Sequence, residues 1–349
     1  MRTTSSRRFV SMATALLLFA GALSLPLACE PTKSSNTDIP SPSPTAQDAA
    51  VAANVGASQQ AGFYRARVGD ISVTALSDGT VGLDVVNGLL LDAKPGEVEQ
   101  LLAQAFQTSP IDASFNAFLI TLDASTLLID TGAAANMGPT AGKLDRSLAH
   151  AGVRAEDVTD VFLTHVHPDH SGGLVVDGKM AFPQATLHLD QRDLDYWMDP
   201  VLAAKATGMQ ATFFAAARVS LQPYVDAKRV KAFAGATEFF PGFSASPAYG
   251  HTPGHTMYQL DRQGQKLRFV GDLIHVAAVQ FDDPGVAVAF DVDPAAAVDN
   301  RKRVLAEAAD EGYLVAHNHA SFPGMGHVRR EAGTYRWVPI SYVNDSILK

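Results

Sequence analysis

The sequence predicts an α/β fold of two sheets with helices outside them, in a single domain of about 290 residues. Two observations carry this. Short β-rich runs open and close the folded part, and Ala-rich helical stretches lie between them. A third places the chemistry: four ligand-type residues, His165, His167, Asp169 and His170, follow the apolar run Val161-Phe162-Leu163. They are therefore expected to hang from the carboxyl end of a buried strand.

Taken in order, residues 64–68 and 71–76 flank Gly69-Asp70 and read as a tight hairpin. Residues 118–122 and 126–129 form a second pair, which leaves the sheet through Asp130-Thr131-Gly132. A helix is expected over 139–151, then the strand beginning at Val161. Residues 187–189 continue the sheet before a helix that starts within 190–197. The stretch 199–230 is helical in character and carries Phe213, Phe214 and Tyr224. Sheet signals resume at 257–260, 267–270 and 286–290. Asp293 can cap a late helix, Pro294 suits its first turn and Gly312 can end it. Residues 313–316 form a last strand leading to His317-Asn318-His319.

Ahead of this lies a different kind of sequence. Residues 1–28 read as an export signal, with Arg2, Arg7 and Arg8 followed by an apolar core at 13–20. That core is too short and too rich in small residues for a membrane span. The segment around Arg7-Arg8 resembles a twin-arginine signal. Cys29 follows Leu25-Pro26-Leu27-Ala28, so lipidation at Cys29 is expected, against ordinary cleavage near the same point. The chain is thus expected to be exported to the periplasm or cell envelope. Residues 29–60, rich in Ser, Pro, Thr, Ala and Gln, read as a disordered tether, leaving 61–349 as the folded domain.

Composition excludes several functions. The 349 residues are 47% hydrophobic and 18% charged, as globular proteins are. Net charge is -9 without a long Lys/Arg run, which argues against nucleic acid as the main partner. The only cysteine is Cys29, so there is neither a disulfide framework nor a Cys-based zinc site.

The pattern H-x-H-x-D-H suits divalent cations. Imidazole nitrogens and carboxylates are typical zinc-type ligands, and histidines two apart on an extended segment point the same way. A dinuclear site needs more ligands than one cluster offers. Candidates are His251 and His255 in Gly250-His251-Thr252-Pro253-Gly254-His255-Thr256, Asp272 in Gly271-Asp272, and His317 and His319.

In this order, Asp130-Thr131-Gly132, the H-x-H-x-D-H stretch, the Gly-His-Thr segment, Gly271-Asp272 and a late histidine resemble the metallo-β-lactamase superfamily. Within it the chain looks closest to the methyl parathion hydrolase group, through stretches 276–284 and 321–327. The likeness runs over residues 61–345. It implies an αββα metallo-β-lactamase-like sandwich with two metal ions at one sheet edge. His165, His167 and His251 would hold one ion and Asp169, His170 and His319 the other, with Asp272 bridging. The family's ligand stands four residues before a second histidine, which makes His251 the ligand and His255 its supporting neighbour. His319 is preferred to His317 on the same likeness. Asp130 would orient a ligand histidine through its other ring nitrogen, a role compatible with capping the following turn. His150, His188 and His327 are expected in surface or packing roles.

Such ions, about 3.5–4 Å apart, share a hydroxide that is nucleophilic near neutral pH, and one polarises the substrate oxygen. Zinc is the default for this ligand set, which manganese, cobalt or iron also fit. Hydrolysis is the implied reaction. A di-iron redox centre resembles H-x-E-x-D, whereas His167 fills the middle position here. Asp169, Asp272 and His275 are the catalytic candidates. Trp197, Phe213 and Phe214 are expected to line an apolar pocket suited to an aromatic leaving group. Met137 stands where organophosphate-cleaving members carry an aromatic residue, and His275 and Phe290 where they carry leucines. These departures favour a lactone or aryl-ester hydrolase, with His275 donating to a carbonyl or leaving oxygen. An organophosphate phosphotriesterase is the alternative; a non-catalytic metal-binding envelope lipoprotein is the alternative of another class. The expected partner is a small ester, lactone or phosphotriester, and a homodimer is compatible with the sequence.

Overall fold

The structure is a computed structural model describing residues 61–122 and 124–343; the export signal, the tether and Cys29 lie outside the described residues. Its first hairpin joins β1 (Phe63–Val68) to β2 (Ile71–Leu83) through Gly69, whose left-handed backbone (φ 58°) favours glycine. β3 (Ile111–Thr121) and β4 (Thr126–Ile129) follow as antiparallel neighbours. From β4 onward, β5 (Asp160–Phe162), β6 (Thr186–Asp190) and β7 (Val230–Phe233) run parallel, completing a seven-stranded sheet in chain order.

A second seven-stranded sheet repeats this economy of connection. It takes β8 (Thr237–Phe240), β9 (Phe243–Pro247), β10 (Thr256–Arg262), β11 (Gln265–Phe269), β12 (Leu314–Ala316), β13 (Met325–Glu331) and β14 (Thr334–Pro339), again in chain order. Only β11 and β12 pair in parallel, because the helix α6 (Pro294–Glu311) crosses between them.

The period-two pattern of the strands sorts the core into layers. Phe118, Ile120, Ile129 and Phe162 face inward and pack on Phe243, Tyr258, Leu267 and Phe269 of the second sheet. Their intervening neighbours Leu119, Leu128 and Val161 face outward. There they meet α2 (Leu144–His150), α3 (Gln191–Met198) and α5 (Gly208–Asp226). On the far side, Val304, Leu305 and Ala308 of α6 cover Met257 and Val315. Burying a ring such as that of Phe118 contributes about 1.5–3 kcal/mol. The layers are helix, sheet, sheet, helix: an αββα sandwich.

Beside one sheet edge, α1 (Glu97–Gln104) packs with the segment 276–290 through Val98, Leu102, Val279 and Val286. α4 (Pro200–Lys205) precedes α5, so the helical reading of 199–230 holds. The late helix keeps its expected ends: Asp293 accepts from the N–H of Ala296, and Gly312 is left-handed (φ 69°).

Four expectations are corrected, the first being that 313–316 is the last strand, since β13 and β14 follow it. The helix expected over 139–151 begins only at Leu144, since the N–H groups of Gly142 and Leu144 are drawn to the Asp78 carboxylate instead. The strand expected over 286–290 shrinks to Ala287–Val288, paired only with Leu90–Leu91. Helices also interleave with the strands of each sheet rather than gathering in mid-chain.

Candidate metal centre

β4 and β5 lie side by side in parallel, so their carboxyl ends deliver two loops to one edge. The β4 loop opens at Asp130, in the left-handed region at φ 58°. Its carboxylate accepts from Thr164 N and Oγ1 at 2.8 Å each, from Asn318 Nδ2 at 2.9 Å, and meets His170 Nδ1 at 2.9 Å. The β5 loop runs extended through His165 and His167. It then turns through the single helical turn Pro168–Ser171, pinned by Ser171 Oγ donating to His167 O. That turn carries Asp169 and His170 round to the second group, with the His170 ring still 4.1 Å from that of His165. The second sheet supplies the rest: His251 between β9 and β10, Asp272 after β11, and His319 after β12.

These seven side chains converge. One group is His165, His167, His251 and Asp272; the other is Asp169, His170, Asp272 and His319, and within each the ligand atoms lie within 4.8 Å of one another. Asp272 belongs to both. Its Oδ2 is 3.1 Å from His319 Nε2, 3.4 Å from His251 Nε2 and 3.7 Å from His165 Nε2, while Oδ1 is 3.1 Å from His170 Nε2. Asp169 Oδ2 lies 3.5 Å from His170 Nε2 and 3.6 Å from His319 Nε2.

The donor set fits a pair of cations. Buried polar atoms ordinarily find partners, yet Nε2 of His165, Nε2 of His170 and Oδ1 of Asp272 have no hydrogen-bond partner. Leaving such atoms unsatisfied costs about 1–3 kcal/mol each. Burial pushes His165 and His167 well below the ordinary histidine value, so both rings are neutral, as cation binding requires. Burial would raise the Asp272 carboxyl, but the rings of His170 and His319 outweigh it and hold it far below the usual carboxylate range. Several outer ring nitrogens are occupied from behind. His251 Nδ1 meets Asp291 at 2.8 Å and His319 Nδ1 the carbonyl of Ser114 at 3.0 Å, the arrangement that orients ligand histidines.

His255 lies behind this centre. Burial lowers its pKa to about 3. Its neutral ring donates Nδ1–H to Ala248 O and accepts the Asp272 N–H on Nε2 at 3.0 Å. It therefore braces the backbone of Asp272. His317 stands outside both groups and accepts the N–H of His319. Of the other histidines, His188 stacks on Phe162 and pairs with Asp160, and His150 and His327 meet backbone carbonyls.

A small cavity of about 50 Å³ opens above the cluster. Met137, His275 and Phe290 stand on its wall, as do Phe115 and Phe213. Trp197 and Phe214 do not reach it. Both are buried in the layer outside the first sheet, with Trp197 edge-on to His167 at 5.4 Å and Phe214 behind Trp197 at 4.9 Å. One residue along α5 turns the side chain by about 100°, which aims Phe213 at the cavity and Phe214 at the core. A larger cavity of about 820 Å³, lined by Asp160, His188 and Phe239, contains none of the seven converging residues.

Sequence reasoning missed Asp193 and Asp291. Asp193 is fully buried and accepts from Val166 N, Thr252 Oγ1 and Gly254 N, tying the loop of His165 and His167 to that of His251. Nothing in its helical neighbourhood distinguishes it from the exposed Asp195. Asp291 follows Phe290, and no local pattern announces that it faces His251.

A family model described as the metallo-beta-lactamase superfamily matches residues 114–319. Among solved structures, a hydrolase named AbOPH in the beta lactamase superfamily superposes with a TM-score of 0.77. It is 35% identical and covers 82% of this chain and 100% of its own. AidC, a dizinc quorum-quenching lactonase bound to a product, gives a TM-score of 0.74 at 28% identity, covering 81% of this chain and 99% of its own. A probable metal-dependent hydrolase from Staphylococcus aureus shares the fold at 19% identity, with a TM-score of 0.64 over 80% of this chain and 100% of its own. No curated protein sequence matches the chain.

Proposed function

Because the chain belongs to the metallo-β-lactamase superfamily, we propose that it is a dinuclear metal-dependent hydrolase of lactones or aryl esters. The observation that carries this is the meeting of two four-ligand groups on Asp272, directly below an apolar cavity. In this reading His165, His167 and His251 would hold one divalent ion, and Asp169, His170 and His319 the other, with Asp272 a member of both groups. When bound, the ions supply a water acidified to near-neutral pKa and a Lewis acid for the substrate's oxygen.

The chain's own residues do the rest. Phe213, Phe290 and Phe115 exclude water and hold the apolar part of the substrate. Asp169 lies on the cavity floor, where its ionised carboxylate would complete the second ligand group beside the reacting centre. His275 stands on the cavity wall with Nε2 3.0 Å from Asp272 Oδ2, and with the Asp272 carboxylate engaged by cations its single N–H would be free to meet the carbonyl or leaving oxygen. Among the described residues no Lys or Arg lines the cavity, which favours uncharged substrates. The AidC likeness supports a lactone. A phosphotriester with an aromatic leaving group is the second reading, favoured by the two rings of Phe213 and Phe290 on the cavity wall, tilted against each other at 6.2 Å. Export and a lipid anchor at Cys29 belong to the same proposal.

A substrate panel on metal-analysed protein tests it: dihydrocoumarin, an aryl acetate, an N-acyl homoserine lactone and a paraoxon-type triester. The lactone or aryl ester should show the highest kcat/KM, and chelation should abolish turnover. A metal-replete protein inert to all four substrates would refute the proposal.

A further inference from the structure

Helix α6 carries a cation in a place where cations are rarely tolerated. Arg301 is 0% exposed, and among the described residues it pairs with no carboxylate. Its partners are three backbone carbonyls: Nε donates to Leu273 O at 2.5 Å, and Nη1 to Val286 O at 2.7 Å and Pro284 O at 3.1 Å. Removing a guanidinium from water is costly, and an apolar residue would fill this space more cheaply. Burial pushes its pKa down to about 10, which leaves it charged at neutral pH.

Gln280 supplies a second buried link between the same two segments. It is also 0% exposed. Its Oε1 accepts the N–H groups of His275 and Val276 at 2.7 and 3.1 Å, and its Nε2 donates to Val286 O at 2.9 Å. The Val286 carbonyl thus receives both side chains.

The joined segments are the ones on which the site depends. One bears Asp272 and His275. The other bears Phe290 on the cavity wall and Asp291, which holds His251. Neither is set by a long ladder of strand pairing. Asp272 sits in a short irregular turn (φ -100°, ψ 39°), and 287–288 pairs with two residues only. Through Nε and Nη1 of Arg301 and both ends of the Gln280 amide, buried hydrogen bonds tie the two segments together, while Arg301 Nη2 finds no partner among the described residues.

We propose that Gln280 and Arg301 are positioning residues that lock the segment of Asp272 and His275 to the segment of Phe290 and Asp291 at one spacing. This rests on the reading of Asp272 as a shared ligand. Because the clamp grips backbone on both segments, side chains on the wall can vary without disturbing the distance to Asp272.

The test uses the full chain and the variants Arg301→Met, Arg301→Lys and Gln280→Leu. Zinc dissociation constants come from competition with a chromophoric chelator, which requires no turnover. KM is then compared for phenyl acetate and for a longer aryl ester that reaches Phe290. Folded Arg301→Met should lose about 10–100-fold in affinity for at least one zinc, the loss typical of removing a ligand's support. KM should rise more for the longer ester, and Arg301→Lys, lacking the planar fork, should recover only part of both effects. If Arg301→Met does not fold, Gln280→Leu carries the same expectation. Zinc affinities and KM ratios within about twofold of the parent in the folded variants, with only the melting temperature lowered, overturn the inference alone. A parent chain that binds no zinc overturns the metal reading as well.

Discussion

Among the described residues, His275 is the one polar side chain on the cavity wall outside the proposed ligand set. Burial pushes its pKa down to about 4 despite the Asp272 carboxylate beside it. A neutral ring has one N–H to give. Donors aimed at a developing oxyanion are worth about 10²–10³ in rate. His275→Leu should therefore reduce kcat/KM for a lactone by about 100-fold and for a paraoxon-type triester by much less. Measuring kcat/KM for both substrates decides this, and an unchanged ratio would remove His275 from the mechanism. The residues legible in the sequence were those that sit close together in it. His165, His167, Asp169 and His170 announce themselves because four ligand-type residues share six positions. Asp193, Asp291, Gln280 and Arg301 do not, since their meaning lies in burial and in partners distant along the chain. Trp197 and Phe214 were misplaced for a related reason: aromatic composition does not say which helix face meets the cavity.

Between strands and loops, Asp78 shows how an element can shape a site it does not enter. A bulge between Ser77 and Gly79 turns Asp78 inward, where it is 1% exposed. Its carboxylate accepts from Ala133, Gly142 and Leu144 and so closes the loop that follows Asp130. Burial pushes this carboxyl up from 3.8 to about 6. A group whose folded pKa is raised binds its proton more tightly when folded. Its contribution is thus full below 3.8 and is lost as pH rises through about 6. The destabilisation caused by Asp78→Asn should accordingly be larger at pH 4 than at pH 7, by about 1–3 kcal/mol. Urea unfolding of both chains at the two pH values checks this. A penalty that stays constant, or grows with pH, would mean that the three N–H groups keep the carboxylate ionised. The same bulge explains why the sequence showed the first hairpin but not the full reach of β2. Alternation marks Val73 and Ala75, whereas the bulge breaks it, and the final residues through Leu83 serve the cavity rather than the core. The hairpin of β13 and β14 escaped notice because its exposed arginines and glutamate mask the strand pattern.

Across the whole molecule, the two sheets contribute unequal halves of one centre. The first provides His165, His167, Asp169 and His170; the second provides His251, Asp272 and His319. The αββα layering could be anticipated because runs of strand and helix were visible and the motif order resembled a known family. The convergence was expected only through that resemblance and not from the residues' spacing, since it depends on loops leaving the same edge of both sheets. Cations held between the halves should also stabilise the fold, by about 2.7 kcal/mol at a free concentration one hundred times the dissociation constant. Chelation should therefore lower the melting temperature, and added zinc should restore it. The most direct test is the zinc content of the purified chain after equilibrium dialysis against micromolar zinc. Two equivalents per chain are predicted, one for each ligand group. A well-folded chain that retains one equivalent or none would contradict the account.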